Sequence, residues 1–341
     1  MRPPPRVLLV GFSERNKYFG SFFYATVHKL RNGFVRAGSH VIWFSDRDIA
    51  DYSAPFRIRS IGAPFANAKL LRLAERTEPD VVCLMHADLI TGKTIAAIRR
   101  MLPVTKIVSV FLDPITDPRG AGRFAQSVAA SDFSYVTTAG PLLARFADRG
   151  NVGFIPNPID VSAENHNSCD AAEHDYDFFF AGKGKDRVAL LNTLRERMPS
   201  RRFGFFVQTG KDLALSGAAY VKALSRSRIA INATVANCPY WYSSDRIAQY
   251  FAAGCLVAQP AAARLDRLYG GDALLTFREA DDLIAQAEPL LESGRWREMA
   301  AHGRQRALAV SDATLVARYI LDRCAGEQSF PWPAWSSEFH S

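Results

Sequence analysis

The residue types and spacings best suited to chemistry lie between Arg226 and Pro260, in the run RSRIAINATVANCPYWYSSDRIAQYFAAGCLVAQP. Ile229–Asn232 reads as a short buried strand. Ser243, Ser244 and Asp245 are helix-capping residue types, Gly254 stops the helix they open, and Cys255–Ala258 reads as the next strand. Such a helix points free N–H groups and the positive end of its dipole past the strand tips, where an anion is stabilised. Arg246 in the first turn adds a planar fork for phosphate oxygens, and Gln249 offers an amide on nearly the same face. With Ser244 these side chains form a grip for a diphosphate and a ribose. A capped amphipathic helix with an exposed arginine accounts for the same spacing.

A second constellation is Gly182-Lys183-Gly184-Lys185, which follows the apolar run Phe178–Ala181 and precedes a helical pattern with Arg187 near its start. Glycines let backbone N–H groups approach phosphate, and the two lysines and Arg187 supply charge where a leaving diphosphate develops it. The spacing is not that of a P-loop, and a plain glycine turn with solvated lysines is the alternative.

Proton-accepting groups sit at two further strand ends. His86 and Asp88 close one apolar run, and Asp113 closes another in V-F-L-D-P, where Pro114 holds it extended. Such a group can take the proton of an attacking hydroxyl. Asp113 is the first choice and His86 the second; ordinary strand-end hydrogen bonding explains either. In the loop Gly11–Ser21, the residues Asn16, Lys17 and Tyr18 suit contact with an acceptor, or belong to an ordinary strand–helix loop. The stretch Ala87–Thr94 mimics a Walker A loop, but it has one glycine and places Asp88 where amides should cradle phosphate, so Thr91 as a helix cap is preferred. Asp46-Arg47-Asp48 resembles a metal-holding D-x-D, and strand-end carboxylates capping the next turn explain it better.

The elements that must position these groups alternate. Strand-like runs at Val7–Val10, Val41–Phe44, Val81–Met85, Ile107–Phe111, Phe133–Thr137 and Val152–Ile155 are separated by helical patterns at Phe22–Ala37, Asn67–Glu75, Thr94–Met101, Phe124–Ala130 and Pro141–Arg149. This rhythm implies a doubly wound parallel sheet, whose ligands bind beyond the carboxyl ends of the strands. Residues 160–177 interrupt it with six acidic residues and no apolar period, and read as a linker. A second series follows with Phe178–Ala181, Val188–Arg197, Arg202–Phe206, the 226–260 unit, Leu274–Phe277, and helices at Ala280–Ser293 and Thr314–Cys324.

On these residues the chain resembles the GT-B glycosyltransferases. R-I-A-Q-Y-F-A-A-G-C-L-V is similar to their nucleotide-sugar segment, in which a Glu usually stands where Gln249 does; F-I-P-N-P-I-D at Phe154–Asp160 is similar to the hinge after the first lobe, and D-F-F-F-A-G-K-G-K-D-R at Asp177–Arg187 to the first strand and phosphate loop of the second. Arg246 points to the bacterial spore-maturation-type branch. Trp241 stands where the larger retaining family has an additional Glu. The resemblance implies two Rossmann-like lobes: residues 1–158 on the acceptor side, a linker at 159–177, and 178–341 on the donor side. It also implies that the aromatic tail Phe330–Trp335 packs back on the first lobe.

At 341 residues the chain holds two full cores. Its 48% hydrophobic and 22% charged content is that of a globular protein, and no apolar stretch reaches the roughly 18–20 residues of a membrane span. The N-terminus carries no signal-peptide pattern, so the expected location is the cytoplasm, with peripheral contact at the inner membrane left open. Five cysteines without C-x-x-C spacing indicate neither a disulfide framework nor zinc. The net charge of +8 comes without a basic run or nucleic-acid motif, so phosphorylated ligands and an acceptor on the inner membrane leaflet fit better than nucleic acid. The expectation is a metal-independent, cofactor-free α/β glycosyltransferase that moves a sugar from a nucleotide-diphosphate sugar to a saccharide or lipid-linked saccharide of surface-polysaccharide type. A non-catalytic binding module on the same scaffold, and a transferase using a nucleotide-monophosphate acid sugar, remain open.

Overall fold

The structure is a computed structural model that describes residues 3–13, 20–184, 187–208, 215–233 and 239–341. Asn16, Lys17, Tyr18 and Lys185 lie outside the described residues. The chain divides into two compact units, Met1–Gly20 with Ala25–Ile155 and Ala313–Ser341, and Ser21–Tyr24 with Pro156–Asp312.

The first unit contains β1 (Arg6–Gly11), α1 (Thr26–Arg36), β2 (His40–Phe44), α2 (Asp46–Ser53), α3 (Arg59–Thr77), β3 (Val81–Met85), α4 (Gly92–Met101), β4 (Lys106–Phe111), α5 (Pro118–Ala130), β5 (Phe133–Val136), α6 (Pro141–Ala144) and β6 (Val152–Phe154). Its seven-stranded sheet has the order β12-β6-β5-β4-β3-β1-β2, where β12 is Phe339–His340. Val7 registers with Val41 on one side and Val81 on the other, and all these pairings are parallel except β12 with β6. Both faces are covered, so β3 is buried along its whole length and reads as a continuous apolar run. The C-terminal tail packs on the sheet edge, with Trp335 buried between Phe154 and Tyr319.

The second unit continues with β7 (Tyr176–Lys183), α7 (Val188–Arg197), β8 (Phe203–Gln208), α8 (Gly217–Ser225), β9 (Ser227–Ile231), α9 (Asp245–Ala252), β10 (Leu256–Pro260), α10 (Asp266–Tyr269), β11 (Leu275–Phe277), α11 (Ala280–Ser293) and α12 (Trp296–Ser311). Five parallel strands run in the order β11-β10-β9-β7-β8, and α13 (Ala313–Ala325) belongs to the first unit. The core under this sheet is built from Phe178, Phe180, Ile229, Ile231, Leu256, Ala258 and the helices' Leu191, Leu283 and Trp296.

Three readings of the sequence need correction. The acidic stretch 160–177 is packed into the second unit: Asp160 and Ser168 are fully buried, the Asp160 carboxylate accepts from the N–H and hydroxyl of Ser162, and the His174 ring lies edge-on to Trp296. Its polar residues satisfy one another locally, which removes any apolar period from the sequence. The helix expected from Phe22 begins only at Thr26, because Tyr24 is taken up by the second unit, stacked on Tyr220 at 5.1 Å. Helix α12 was not anticipated because Gly303 looks like a helix stop; a Cβ there would collide with the Ala273 carbonyl, so the glycine serves close packing in mid-helix.

Candidate functional site

Within the second unit, β7 delivers Gly182 and Lys183 to the rim of a cavity of about 430 Å³, and the first two turns of α9 deliver Asp245, Arg246 and Gln249 to the same rim. The loop before α9 is held from below: Asn157 donates its backbone N–H to Ser243 Oγ at 3.0 Å and its side-chain amide to the Ser243 carbonyl at 2.6 Å. Ser244 occupies the N-cap backbone position in extended conformation, but its hydroxyl donates to Asn232 Oδ1 at 3.1 Å and does not cap the helix. It is a buried scaffold residue.

The two arginines converge on Gly182. A Cβ built there would stand 2.5 Å from Arg246 Nη1 and 3.6 Å from Arg187 Nη1. Both guanidinium groups lie over the Phe180 ring, with their central carbons 5.4 Å (Arg246) and 5.8 Å (Arg187) from its centroid. Arg246 also donates to the Ala233 carbonyl at 3.4 Å. Two cations held together above one glycine repel each other, and a dianionic ligand offering paired oxygens relieves that repulsion. Gly182, Lys183, Arg187, Arg246 and Gln249 therefore share one cavity, while Ser244 lies beneath it.

Gln249 lines the cavity, but its amide is already engaged within the protein. Tyr220 donates its hydroxyl to Gln249 Oε1 at 2.6 Å, and Gln249 Nε2 donates to Asp245 Oδ2 at 3.3 Å. Both ends of the amide are engaged, and burial raises the Tyr220 hydroxyl well above its ordinary pKa, so it remains a neutral donor. The acidic group on this rim is Asp245, one helical turn before Gln249, which the sequence reading took only as a capping residue. Its four-residue spacing from Gln249 was the available signal. Trp241 lies apart, its indole N–H donating to the Arg264 carbonyl at 3.1 Å.

In the first unit a cavity of about 680 Å³ opens at the carboxyl ends of β3 and β4, lined in part by His86, Asp88, Phe111, Arg119 and Arg123. Arg123 of α5 bridges Asp88 and Asp113, each at 2.8 Å, and Arg47 grips the other Asp88 oxygen at 2.8 Å. Asp113 is thus tied to a guanidinium and is not among the cavity-lining residues, whereas His86 is. His86 adopts a left-handed backbone (φ 48°), and burial lowers its pKa below the ordinary value despite the pull of Asp113 and Asp88 in the other direction. Arg47, Asp88 and Arg123 were not anticipated as a cluster, because they come from α2, the loop after β3 and α5, far apart in sequence.

The remaining motifs are structural. Thr91 accepts from the Thr94 N–H at 3.3 Å and so caps α4, which accounts for the Walker-like stretch. Asp46 and Asp48 are both buried in the first turn of α2; Asp46 accepts from the Leu89 N–H, and Asp48 from the hydroxyls of Ser13 and Ser45. Among the described residues, no helix is long and apolar enough to cross a membrane.

Residues 187–322 match the family model described as glycosyl transferase-like. No curated protein matches the chain significantly. Among solved structures, the chain is similar to an alpha-glucosyltransferase in complex with UDP and a 13-mer DNA (TM-score 0.63, 11% identity, covering 94% of this chain and 100% of that one). It is also similar to AviGT4, a glycosyltransferase involved in avilamycin A biosynthesis (0.59, 13%, 94% and 97%), and to Anabaena HepE in complex with UDP-glucose (0.59, 12%, 94% and 100%). At such identities the structural likeness speaks for the fold, and these matches do not single out the spore-maturation-type branch. The chain thus has the two-lobed parallel-sheet fold of these GT-B glycosyltransferase structures, and its residues 187–322, which include Arg187, Arg246 and Gln249, form a glycosyl transferase-like segment.

Proposed function

We propose that the enzyme takes a nucleotide-diphosphate sugar in the second-lobe cavity and transfers the sugar, without a metal ion, to a hydroxyl of a surface-polysaccharide or lipid-linked saccharide in the cytoplasm. The observation that carries this reading is the convergence of Arg187 and Arg246 on Gly182 at the rim of that cavity. In the transfer, the acceptor oxygen bonds to the anomeric carbon while the bond to the diphosphate breaks, and the negative charge passes to the departing phosphate. Lys183, Arg187 and Arg246 stabilise that charge in the place a metal ion would otherwise take. Asp245 accepts from the ribose hydroxyls, in a position fixed by Gln249 and Tyr220. On the first lobe, the acceptor side, neutral His86 takes the hydroxyl proton, and Asp113 orients Arg123 beside it. This reverses the order of the two candidates given by sequence, because the Asp113 carboxylate is engaged by Arg123 and does not line the cavity, whereas His86 does. UDP and UDP-glucose in the structures of HepE support a nucleotide-diphosphate donor.

A thermal-shift panel of nucleosides, nucleotides and nucleotide sugars tests the reading. A diphosphate donor at 100-fold over its Kd should stabilise the protein by about 2.7 kcal/mol, and the stabilised donor should be turned over in the presence of acceptor saccharides. Selective stabilisation by a nucleotide-monophosphate sugar would replace the donor class. Nucleoside binding equal to that of the nucleotide would remove the diphosphate assignment.

A further inference from the structure

The cavity at the carboxyl ends of β3 and β4 does not stop at the strand tips. It runs down between α4 and α5, with Leu84 and Ser109 on the strands beneath, Ile95 on the α4 side and Gln126 and Ala130 on the α5 side. Leu84 and Ser109 are registered partners on adjacent parallel strands, so their side chains project from the same face of the sheet. Ser109 is 5% exposed, and among the described residues its hydroxyl has no hydrogen-bond partner. Ser131 Oγ, at the far end of the same cavity, is buried and has none either. A hydroxyl enclosed without a partner costs free energy that an alanine in its place would not, so the pair points to a ligand that supplies the missing bonds.

Helix α5 turns one face to this cavity, because Arg119, Arg123, Gln126 and Ala130 recur at helical spacing. The chemistry changes along that face, from cations at the mouth to an amide and then a small residue. Arg123 is taken up by Asp88 and Asp113, and Asp88 is held on its other side by Arg47. The Asp117 carboxylate feels the charge of Arg119 but is committed through Oδ1 to the backbone N–H groups of Arg119 and Gly120. The Arg119 guanidinium is exposed and makes no ion pair among the described residues. It is therefore the cavity's unmatched charge, and its planar fork suits a carboxylate or a phosphate. A lone anion at Arg119 would leave the Ser109 hydroxyl, about 7 Å down its strand from the tip at Phe111, still without a partner. A ring that carries both hydroxyls and an acid group satisfies the two together.

We propose that the groove between α4 and α5 holds a sugar unit of the acceptor that bears an acid group, with the acid on Arg119 and the ring hydroxyls on Ser109 and Gln126. The inference rests on the reading of the first lobe as the acceptor side, and it narrows the acceptor to acidic saccharides. Calorimetric titration of the full chain without nucleotide tests it, using a glucuronate-containing disaccharide, a disaccharide phosphate and a neutral disaccharide. At least one acidic saccharide should bind about tenfold or more tightly than the neutral one, with the advantage shrinking as salt rises, and the one that binds names the acid group. Arg119→Gln should bring its affinity to that of the neutral disaccharide. Ser109→Ala should weaken acidic and neutral binding alike, with the melting temperature unchanged. Equal affinity for all three saccharides, binding of none, or an acidic preference that survives Arg119→Gln would overturn the proposal. The reaction is judged separately. Arg119-dependent binding of an acidic saccharide without turnover of any nucleotide sugar would uphold the groove and remove the transferase reading, whereas transfer to neutral saccharides alone would overturn the groove's assignment and leave the reaction in place.

Discussion

Arg246 Nη1 occupies the space in which a side chain on Gly182 would begin, 2.5 Å from the position of its Cβ. The contact is with the tip of a flexible side chain, so Gly182→Ala displaces the guanidinium at small cost to the fold. Diphosphate affinity should fall roughly 10- to 100-fold, the value of one or two charge-assisted hydrogen bonds, while nucleoside affinity holds. Arg246→Ala should match it in calorimetric titrations with a nucleoside diphosphate. Equal losses for nucleoside and diphosphate would show that Gly182 shapes the cavity wall and not the arginine.

Gln249→Glu tests the rim below. The substitution removes the N–H donated to Asp245 Oδ2 and sets two carboxylates one helical turn apart. An acid with a like charge beside it has a raised pKa in the folded state, so its stability is full at low pH and is lost as pH rises. The variant should be less stable than the parent by about 1–3 kcal/mol at pH 7.5 and closer to it at pH 5, and Asp245→Asn should rescue it. Urea unfolding measures both. A variant as stable as the parent at pH 7.5 would mean that the Gln249–Asp245 bond does not hold this rim.

The parallel sheets and their strand tips were legible because buried strands such as Val81–Met85 are unbroken apolar runs, with Gly182, Lys183 and Arg187 at or just past the end of one such strand and Arg246 and Gln249 on the helix that leads into another. What was not legible depends on contacts between distant segments. Tyr24 stacks on Tyr220 across nearly two hundred residues, Asn157 fixes Ser243, and Arg123 chooses Asp113 and Asp88 as partners; none of these has a local period or spacing to reveal it. The same holds for Asp113, which looks like an available base until its partner is known.

Asp46 gives a pH dependence that owes nothing to catalysis. Burial pushes its carboxyl up to about 6 from 3.8, with the Leu89 N–H pulling in the opposite direction, and its Oδ1 has no hydrogen-bond partner among the described residues. The folded state therefore holds the proton more tightly than the unfolded chain. Its contribution is full below pH 4 and is lost as pH rises through about 6, at a cost on the order of 3 kcal/mol. Asp46→Asn should flatten this part of the stability–pH curve and leave the variant relatively more stable at pH 7.5 than at pH 4.5. Parallel curves for the two proteins would show that Asp46 is ionised without penalty.

The last expectation separates the two proton acceptors at the first-lobe strand tips. His86 faces the cavity with its pKa lowered by burial, so the imidazole stays neutral below pH 6.5, and the acid limb of kcat/KM should lie beneath that value. His86→Asn keeps a residue type that tolerates the left-handed backbone at φ 48°. It should lower kcat by about 10²–10⁴-fold, the usual value of positioned acid–base catalysis, with donor Kd unchanged. Asp113→Asn leaves Arg123 still held by Asp88, so its loss should be about tenfold or less, with the acid limb of the profile in place. The reverse pattern, with Asp113→Asn inactive and His86→Asn near normal, would return the base to Asp113 and make the Arg123 contact a resting arrangement that substrate breaks.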